Sequence, residues 1–159
     1  MFNFKHFINL YSDRFTSRLF DETTFYKAFV QDLNSCQNEL IIESPFITPS
    51  RIEKLVPSFK KLLNKNVKIC IITRDPAEHD EIIRYQVANE ILKCSEMGIK
   101  VVLLQGNHHR KLAILDRKIL WEGSLNILSF NNSLEIMRRI QTEKSAKEMY
   151  DFLNLDKVI

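Results

Sequence analysis

Short apolar runs recur along the chain at a spacing that predicts strands separated by helices. Three runs rich in Leu, Ile and Val lie at 39–44, 67–73 and 99–104, and each has the length and apolar character of a buried strand. A further strand is predicted at about 133–140. Because strands that alternate with helices form parallel units, the pattern predicts an α/β fold with a mostly parallel central sheet and helices on both faces.

The stretches between these runs carry apolar residues three or four positions apart, which is the helical period. Asp21 is a candidate cap for the first helix, and Ser50 and Glu53 form a capping-box signature for the second. The aromatic-rich residues 3–20 are expected to be partly helical. The predicted helices cover 22–36, 50–64, about twenty residues that end at Gly98, and 143–153.

A β-hairpin is predicted where two apolar runs flank a short polar segment. The runs are 111–115 and 119–121, and Asp116-Arg117 is expected to form a tight turn between them. If the turn has two residues, Leu115 pairs with Lys118. This register fixes which side chains of the two strands meet.

The hairpin is expected to bring chemically active side chains together. Successive side chains of a strand point to opposite faces, so His109 shares a face with Lys111, and Ser124 shares a face with Asn126. Counting outward from the two-residue turn places His109 opposite Ser124. An imidazole, an ammonium, a hydroxyl and a carboxamide are thereby collected in one place.

This set of groups suits the handling of a phosphodiester. The neutral imidazole of His109 can attack phosphorus. Lys111 and the Asn126 amide can stabilise charge on the non-bridging oxygens, and Gly123 lets the backbone come close to a ligand. Glu135 can accept a proton from the second nitrogen of His109 and so fix its tautomer.

One spacing in the chain is specific enough to indicate a family. It reads His109-x-Lys111-x4-Asp116-x6-Gly123-Ser124-x-Asn126. This spacing resembles the HKD motif of the phospholipase D superfamily, and it is complete at every motif position. The wider pattern of a strand ending in Glu43-Ser44-Pro45-Phe46, alternating elements and a hairpin is also similar. The segments 123–129 and 135–139 are similar to those of PLD-like domains attached to DNA helicases and some restriction nucleases.

The resemblance implies a phospholipase D-like fold and a metal-independent phosphodiesterase that needs no cofactor. In that mechanism His109 attacks phosphorus and forms a phosphohistidine, and a second histidine protonates the leaving oxygen. Asp116 and Gly123 are expected to support the site without touching the substrate. The catalytic residues that the resemblance implies are His109, Lys111, Ser124, Asn126 and Glu135.

The number of motifs bears on the number of chains in the active unit. The sequence holds a single His-x-Lys, whereas the mechanism needs two histidines. An isologous pairing would bring the two His109 residues together across a twofold axis. We therefore expect a homodimer.

Residues around the motif are candidates for substrate binding. Ser44 and Phe46 lie at the end of a strand, where ligands of α/β sheets bind, and helix termination stays open as an equal alternative for them. Basic residues near the motif are by default solvated, but their closeness to a phosphodiester site favours nucleic acid contacts. The basic residues are Arg110, Arg117, Lys118, Arg138 and Arg139, and the candidate substrate-binding residues are Ser44, Phe46, Arg110, Arg117 and Arg138.

The remaining histidines and the tryptophan are given ordinary roles by their positions. His108 is expected to point away from His109 if the strand begins that early, and to be either a loop residue or a rim residue of the site. His6 and His79 have no ligand spacing and are expected at the surface. Trp121 is expected in the core.

Length and composition limit the alternatives. The 159 residues suit one domain over 1–159, with 45% hydrophobic and 27% charged residues and a net charge of only +3. No apolar run reaches the length of a membrane span, and no signal-peptide pattern occurs at the start, so a cytoplasmic location is expected. The three cysteines are far apart and fit reduced, buried thiols.

Two other function classes stay open at this stage. A phospholipid-cleaving enzyme would use the same chemistry, but it should show a membrane-docking segment, and no convincing one is found. An inactive interaction module could retain the fold. The sequence leaves open DNA or RNA as the substrate, and whether the chain is part of a larger helicase or restriction-type protein.

Overall fold

One seven-stranded sheet organises the part of the chain that the computed structural model describes, residues 15–129 and 132–159. The strands are β1 Thr16–Asp21, β2 Glu39–Glu43, β3 Lys68–Arg74, β4 Lys100–Leu104, β5 Leu112–Leu115, β6 Ile119–Gly123 and β7 Ile136–Gln141. The helices are α1 Phe25–Ser35, α2 Pro49–Leu63, α3 Glu81–Glu96 and α4 Glu143–Phe152, with 3-10 turns at Pro76–Glu78 and Leu155–Lys157.

The sheet is mixed, which corrects the expectation of a mostly parallel one. Its order is β1-β7-β6-β5-β2-β3-β4, and only β2–β3 and β3–β4 pair in parallel, whereas the other four pairs are antiparallel. A parallel pair needs a crossover of a dozen or more residues, usually a helix. No helix occurs between β4 and β7 among the described residues, so the strands of this half reverse direction. The expected α/β class, with helices on both faces and a hairpin, is confirmed.

Alternate residues of the strands pack into two cores on opposite faces of the sheet. One face, which includes Leu40 and Trp121, is covered by the apolar sides of α1 and α2. The other face, which includes Ile41, is covered by α4. Trp121 is fully buried and all three cysteines are buried and unpaired, as predicted.

The first described strand corrects the expectation for residues 3–20. Residues 16–21 form β1, which pairs antiparallel with β7, while residues 3–14 of that expectation lie outside the described residues. Helix α1 begins at Phe25, later than predicted, with Thr24 as its N-cap. The Asp21 carboxylate instead accepts hydrogen bonds from the hydroxyls and backbone N–H groups of Thr24 and Thr23, which lower its pKa to about 2.

The start of α2 also differs from the prediction. The helix begins at Pro49, and Thr48 is the N-cap, so Ser50 lies inside the first turn. The capping box was the wrong interpretation because proline is well suited to the first helical position, where no backbone donor is needed.

The hairpin is present, but its register differs by one residue from the prediction. Asp116 and Arg117 have φ values of 51° and 53°, and the Lys118 N–H donates to the Leu115 carbonyl at 2.9 Å, as a tight turn requires. However, Leu115 pairs with Ile119, so Lys118 is an extra residue between the strands. All residues further along the hairpin are shifted accordingly.

The shift moves His109 away from its expected partner. The Gly123 N–H donates to the Lys111 carbonyl at 3.3 Å, which extends the observed register one step beyond the strand. Counting on from this pair, Ser124 faces Arg110 rather than His109. The residues of the motif must therefore meet in another way.

Candidate active site

The motif residues meet at the ends of three neighbouring strands. His109 and Lys111 lie in the segment that leads into β5, Ser124 follows β6, and Glu135 precedes β7. Because β5, β6 and β7 are adjacent and antiparallel, these chain positions fall on the same edge of the sheet. The fold thus collects the predicted residues although the register prediction was wrong.

His109 and Lys111 are in direct contact. The Lys111 Nζ lies 2.9 Å from His109 Nδ1 and donates to the His109 carbonyl at 2.7 Å. The imidazole is exposed, with its ring edge towards Phe46 at a centroid distance of 6.3 Å. Burial lowers the pKa of Lys111, and the nearby Glu135 carboxylate acts in the opposite direction.

Glu135 is hydrogen-bonded to two serines and lies near the Lys111 charge, in place of the predicted bond to His109. The Ser133 hydroxyl donates to Glu135 at 2.7 Å, and Ser124 is also hydrogen-bonded to it. Burial acts to raise the pKa of Glu135, but the two serines and the Lys111 charge outweigh it and hold the pKa below its ordinary value. Among the described residues, no hydrogen bond joins Glu135 to His109.

Ser124 is held by the start of β7. Its N–H donates to the Ile136 carbonyl at 2.9 Å, and its hydroxyl accepts from the Ile136 N–H at 3.1 Å. The side chain is exposed at the edge of the site. Its position is therefore fixed from both sides while its outer surface stays accessible.

Gly123 has a steric role that differs from the predicted approach to a ligand. A Cβ at this position would lie 2.1 Å from the Ile136 carbonyl oxygen and 2.9 Å from the Met137 Cα, both backbone atoms. Only glycine allows β6 to lie this close to β7. The residue thereby supports the site from behind, as expected, through strand packing.

Asn126 borders a small cavity beside the motif. Its Oδ1 is buried and has no hydrogen-bond partner among the described residues. The Tyr26 hydroxyl donates to the Ile127 carbonyl at 2.9 Å and to the Asn126 carbonyl at 3.3 Å, so α1 fixes the loop that carries Asn126. The cavity has a volume of about 110 Å³, and its lining residues are Glu22, Tyr26, Arg51, Leu125, Asn126, Ser129, Asn132 and Glu135.

Arg110 and His108 both turn to a buried carboxylate at the end of β2. Arg110 Nη2 and Nε lie 2.6 and 2.7 Å from Glu43 Oε1, and His108 Nδ1 lies 3.5 Å from the same oxygen. Burial lowers the pKa of His108 to about 4, with Arg110 as the next cause. His108 lies in the loop before β5, as one of the two expected placements has it, but it is buried and so does not lie at the rim of the site.

The two residues that follow β2 have different positions. The Ser44 hydroxyl is used by the backbone, since it donates to the Phe46 carbonyl at 3.1 Å and accepts from the Leu128 N–H at 3.2 Å. Phe46 lies between His109 and His79 and so does border the site. His79, predicted at the surface, is buried against Phe46, while His6 lies outside the described residues.

Asp116 lies at the turn end of the hairpin, roughly 17 Å from Lys111 at the usual rise of a strand. Its carboxylate accepts hydrogen bonds from the backbone N–H groups of Gln37, Asn38 and Glu39 at 2.9, 2.6 and 3.0 Å. Burial tends to raise the pKa of Asp116, and these bonds overcome it and lower the pKa. Its role is to attach the hairpin turn to the start of β2.

Three of the predicted basic residues lie away from the site. Arg117 and Lys118 are at the turn end, and Arg117 pairs with Glu39, so the predicted contact of Arg117 with substrate at this site is wrong. Arg139 pairs with Asp32 at 2.6 Å. A sequence cannot show these pairings, because the acidic partners are distant along the chain.

Arg138 remains exposed, and its guanidinium donates to the Ser17 hydroxyl at 2.9 Å. It lines a groove on the α4 side of the sheet together with Arg110 and Lys111. This groove adjoins the motif.

Several residues of the site have only weak signals in the sequence. Glu43 is the exception, because it is the one charged residue that ends the apolar run Leu-Ile-Ile. Tyr26 and Arg51 sit in ordinary helical sequence, and the Arg51 guanidinium lies 3.3 Å from the centre of the Tyr26 ring. Within 15–129 and 132–159, no three His, Cys, Asp or Glu side chains gather as a metal site would require. No described helix combines the length and apolar character needed to cross a bilayer.

Comparisons with known proteins agree with this architecture. The family model described as cardiolipin synthase, PLD-like domain, matches residues 29–156. No protein of curated function matches the sequence. Among solved structures, NucT from Helicobacter pylori superposes with a TM-score of 0.70 at 19% identity, over 91% of this chain and 98% of NucT.

Two further structures are similar. Nuc from Salmonella typhimurium, a phospholipase D family member, gives a TM-score of 0.68 at 14% identity over 87% of this chain and 91% of Nuc. Phosphatidylserine synthase from Haemophilus influenzae Rd KW20 gives 0.71 at 14% identity over 88% of this chain but only 38% of the synthase. At such identities the likeness shows a shared fold, and the predicted phospholipase D-like fold is thereby confirmed.

Proposed function

Because the chain belongs to the phospholipase D superfamily through its PLD-like domain, we propose that it is a phosphodiesterase that cleaves nucleic acid through a phosphohistidine. Residues 1–159 would act as one catalytic domain. The observation that carries the proposal is the exposed His109 imidazole with the Lys111 ammonium 2.9 Å from its Nδ1. The nucleophile and a cation that can bind the phosphoryl oxygens are therefore close enough to contact the same phosphate group.

The proposed reaction has two steps. A nitrogen of His109 forms a bond to phosphorus while the bond to the leaving oxygen breaks, and an acid protonates that oxygen. Water then attacks the phosphohistidine, and the imidazole is released. Lys111, Ser124 and Asn126 would bind the phosphoryl oxygens, and no metal or cofactor is required because these side chains supply the charge and the donors.

Glu135 enters the proposal as the residue that orients His109. In the structure its carboxylate is near Lys111, and Lys111 in turn occupies the Nδ1 side of the imidazole. When a substrate phosphate attracts Lys111, Nδ1 becomes available to a carboxylate. Glu135 would therefore orient the His109 imidazole once substrate is bound.

The second histidine would come from a second copy of the chain. Apolar side chains next to the motif support this, since Leu19, Ile136 and Phe152 are exposed by 61%, 61% and 79%. All three line the groove that also contains Arg110 and Lys111. Exposed apolar patches of this kind are typical of protein interfaces, and a twofold pairing over this patch would join two motifs.

Nucleic acid is favoured over lipid as the substrate by the charges of the groove. Lys111 and Arg138 line it with Glu122 as the opposing charge, while the Arg110 charge is already paired with Glu43, and a dimer would double the remaining excess. Repeated positive charge suits a polymer of phosphates better than a single headgroup. The cytoplasmic location predicted above is compatible with such a substrate.

The test is cleavage of matched substrates in excess EDTA. Single- and double-stranded DNA, RNA and phosphatidylglycerol vesicles would be incubated with the wild-type protein and with His109→Ala. We expect nucleic acid cleavage by the wild type only, weakened steeply by salt because counterion release dominates phosphate contacts. Cleavage of the vesicles alone, or activity that requires a divalent ion, would contradict the proposal.

The dimer has its own measurement. Light scattering at assay concentration should show two chains, and mixing wild-type with excess His109→Ala chains should reduce activity below the wild-type fraction. An active monomer would refute this part of the proposal and leave the chemistry of His109 standing.

A further inference from the structure

The two residues that flank His109 are held by one buried side chain. Glu43, the last residue of β2, is fully buried, and its Oε1 accepts both Arg110 Nε and Arg110 Nη2. His108 Nδ1 approaches the same oxygen at 3.5 Å. The chain therefore contacts Glu43 immediately before and immediately after His109.

This arrangement matters because the segment that carries His109 belongs to no strand. β5 begins at Leu112 and Lys111 adds one backbone bond to Gly123, so residues 105–110 lie outside the ladder of backbone bonds that holds a strand residue in place. Neighbouring side chains of an extended segment point to opposite sides. When His108 and Arg110 are fixed on one side, His109 and Lys111 are directed to the other, which is the side of the motif.

The burial of Glu43 is not explained by stability alone. Burial raises its pKa, and the Arg110 charge only partly opposes this. Its second oxygen, Oε2, has no hydrogen-bond partner among the described residues. An incompletely paired buried charge stabilises a fold weakly, and an apolar pair of similar volume would often do as well.

We propose that Glu43 is a positioning residue for catalysis: through Arg110 and His108 it fixes the segment that presents His109 and Lys111 to the substrate phosphate. The inference rests on the proposed phosphodiesterase function. It assigns Arg110 to the support of the nucleophile, in place of the substrate contact predicted from the sequence. The rate of the chemical step should therefore depend on Glu43 and Arg110 more than substrate binding does.

The chain offers a matched control on the same strand. Glu39 begins β2, and its Oε1 accepts Arg117 Nε at 2.5 Å at the far end of the hairpin. Glu39→Gln removes the same kind of ion pair as Glu43→Gln, but at a distance from His109. Loss of stability alone should affect both variants, whereas loss of positioning should affect only Glu43→Gln.

The kinetic test compares Glu43→Gln, Arg110→Gln, the double variant and Glu39→Gln on one nucleic acid substrate. We expect kcat to fall about 10- to 100-fold in each single variant at Glu43 and Arg110, with KM within about twofold, since small displacements of a reacting group have such effects. The double variant should lose no more than the worse single variant, because both remove one interaction. Arg110 is 51% exposed, so its variant keeps the test available if Glu43→Gln does not fold.

A second readout is independent of activity. The ring nitrogens of His109 are observed by NMR with 15N-labelled histidine, and Glu43→Gln should shift and broaden them while Glu39→Gln should leave them unchanged. A folded Glu43→Gln protein with wild-type kcat and His109 resonances would overturn the inference. So would Arg110→Gln with raised KM and unchanged kcat, since Arg110 would then bind substrate. If the wild type cleaves nothing, the proposed function fails, and the resonances still decide the positioning role.

Discussion

Both ends of the β5–β6 hairpin carry polar and charged residues. The two ends differ in how completely these side chains are hydrogen-bonded or ion-paired within the protein. At the turn end, Asp116 accepts three backbone hydrogen bonds, and Arg117 pairs with Glu39 while its guanidinium lies 3.8 Å from the Tyr150 ring centre. At the motif end, His109 is exposed and Asn126 Oδ1 has no partner in the described chain.

The difference separates structural from chemical roles within one motif. A polar group that is fully hydrogen-bonded inside the protein has no capacity left for a substrate. A buried polar atom without a partner costs free energy, so Asn126 Oδ1 needs a donor, while the NH2 of the same amide is the group that can donate to a phosphoryl oxygen. We therefore expect the motif aspartate to be structural, and the histidine, lysine and asparagine to take part in the proposed chemistry.

The largest effect is expected at the motif end from His109→Ala. The variant should lose phosphodiesterase activity by about a thousandfold or more, because the group that attacks phosphorus is removed. Its melting temperature should stay close to that of the wild type, since the exposed imidazole contributes little packing. Cleavage assays and thermal unfolding on the same sample measure the activity and the melting temperature. Retained turnover would show that the motif end of the hairpin does not supply the nucleophile.

The next largest effect is expected on stability from Gly123→Ala. The new Cβ would lie 2.1 Å from a backbone oxygen, so β6 and β7 must separate, and the free energy of unfolding should fall by about 3–4 kcal/mol. Gly98→Ala is the control, because its Cβ meets nothing within 4 Å and only the φ of 92° is unfavourable. It should cost about 1 kcal/mol. Equal costs in urea unfolding would remove the steric explanation.

Asp116→Asn tests the turn end of the comparison. The amide keeps one acceptor oxygen and places a donor against backbone N–H groups, so unfolding should become easier by about 2–3 kcal/mol. The activity per folded molecule should stay within about twofold of the wild type, measured well below the melting temperature. A large loss of kcat in fully folded protein would place Asp116 in the chemistry.

The smallest effect is a dependence of stability on pH through His108. Its pKa in the folded protein is lowered to about 4, whereas the unfolded chain takes up the proton near 6.5. Stability should therefore be complete above pH 6.5 and fall as the pH drops towards 4, by about 3 kcal/mol if His108 acted alone. The raised pKa of Glu43 opposes this, because the folded protein takes up that proton first, and we expect a net loss of about 1–2 kcal/mol.

His108→Gln should flatten this dependence between pH 6.5 and 4.5. Urea unfolding at several pH values measures it, with the wild type as the reference. The range stops at pH 4.5 because the folded protein lowers the pKa values of Glu78, Asp116 and Glu135. Protonation of these carboxylates at lower pH reduces the free energy of unfolding and would mask the effect of His108. An unchanged slope in the variant would mean that His108 is not buried as a neutral group.

Local patterns in the sequence predicted the elements that local rules govern. The apolar runs located β2, β3 and β4, and the polar pair Asp116-Arg117 located the hairpin turn, because both signals lie within a few residues. The register failed on one residue, Lys118, since nothing local distinguishes a two-residue connection from one with an extra residue. β1 was missed because its strand partner in the described part of the chain is β7, far along the sequence.

In the candidate site too, local sequence patterns predicted some features, and contacts between distant residues determine the others. The motif spacing located the segments that lie together at one end of the adjacent strands β5, β6 and β7, but it did not predict which of their side chains are in contact. The pairing of Arg117 with Glu39 and of Arg110 with Glu43 joins residues 78 and 67 positions apart, which composition and periodicity do not report. Charge near a motif in sequence is therefore weak evidence of charge near it in space.

The most direct test of the account is to trap the covalent intermediate. The protein would be mixed with a phosphodiester substrate in EDTA, quenched under alkaline conditions during turnover, and digested for mass spectrometry. The account predicts an acid-labile, base-stable phosphoryl adduct on His109. An adduct on another residue, or turnover in His109→Ala, would contradict it.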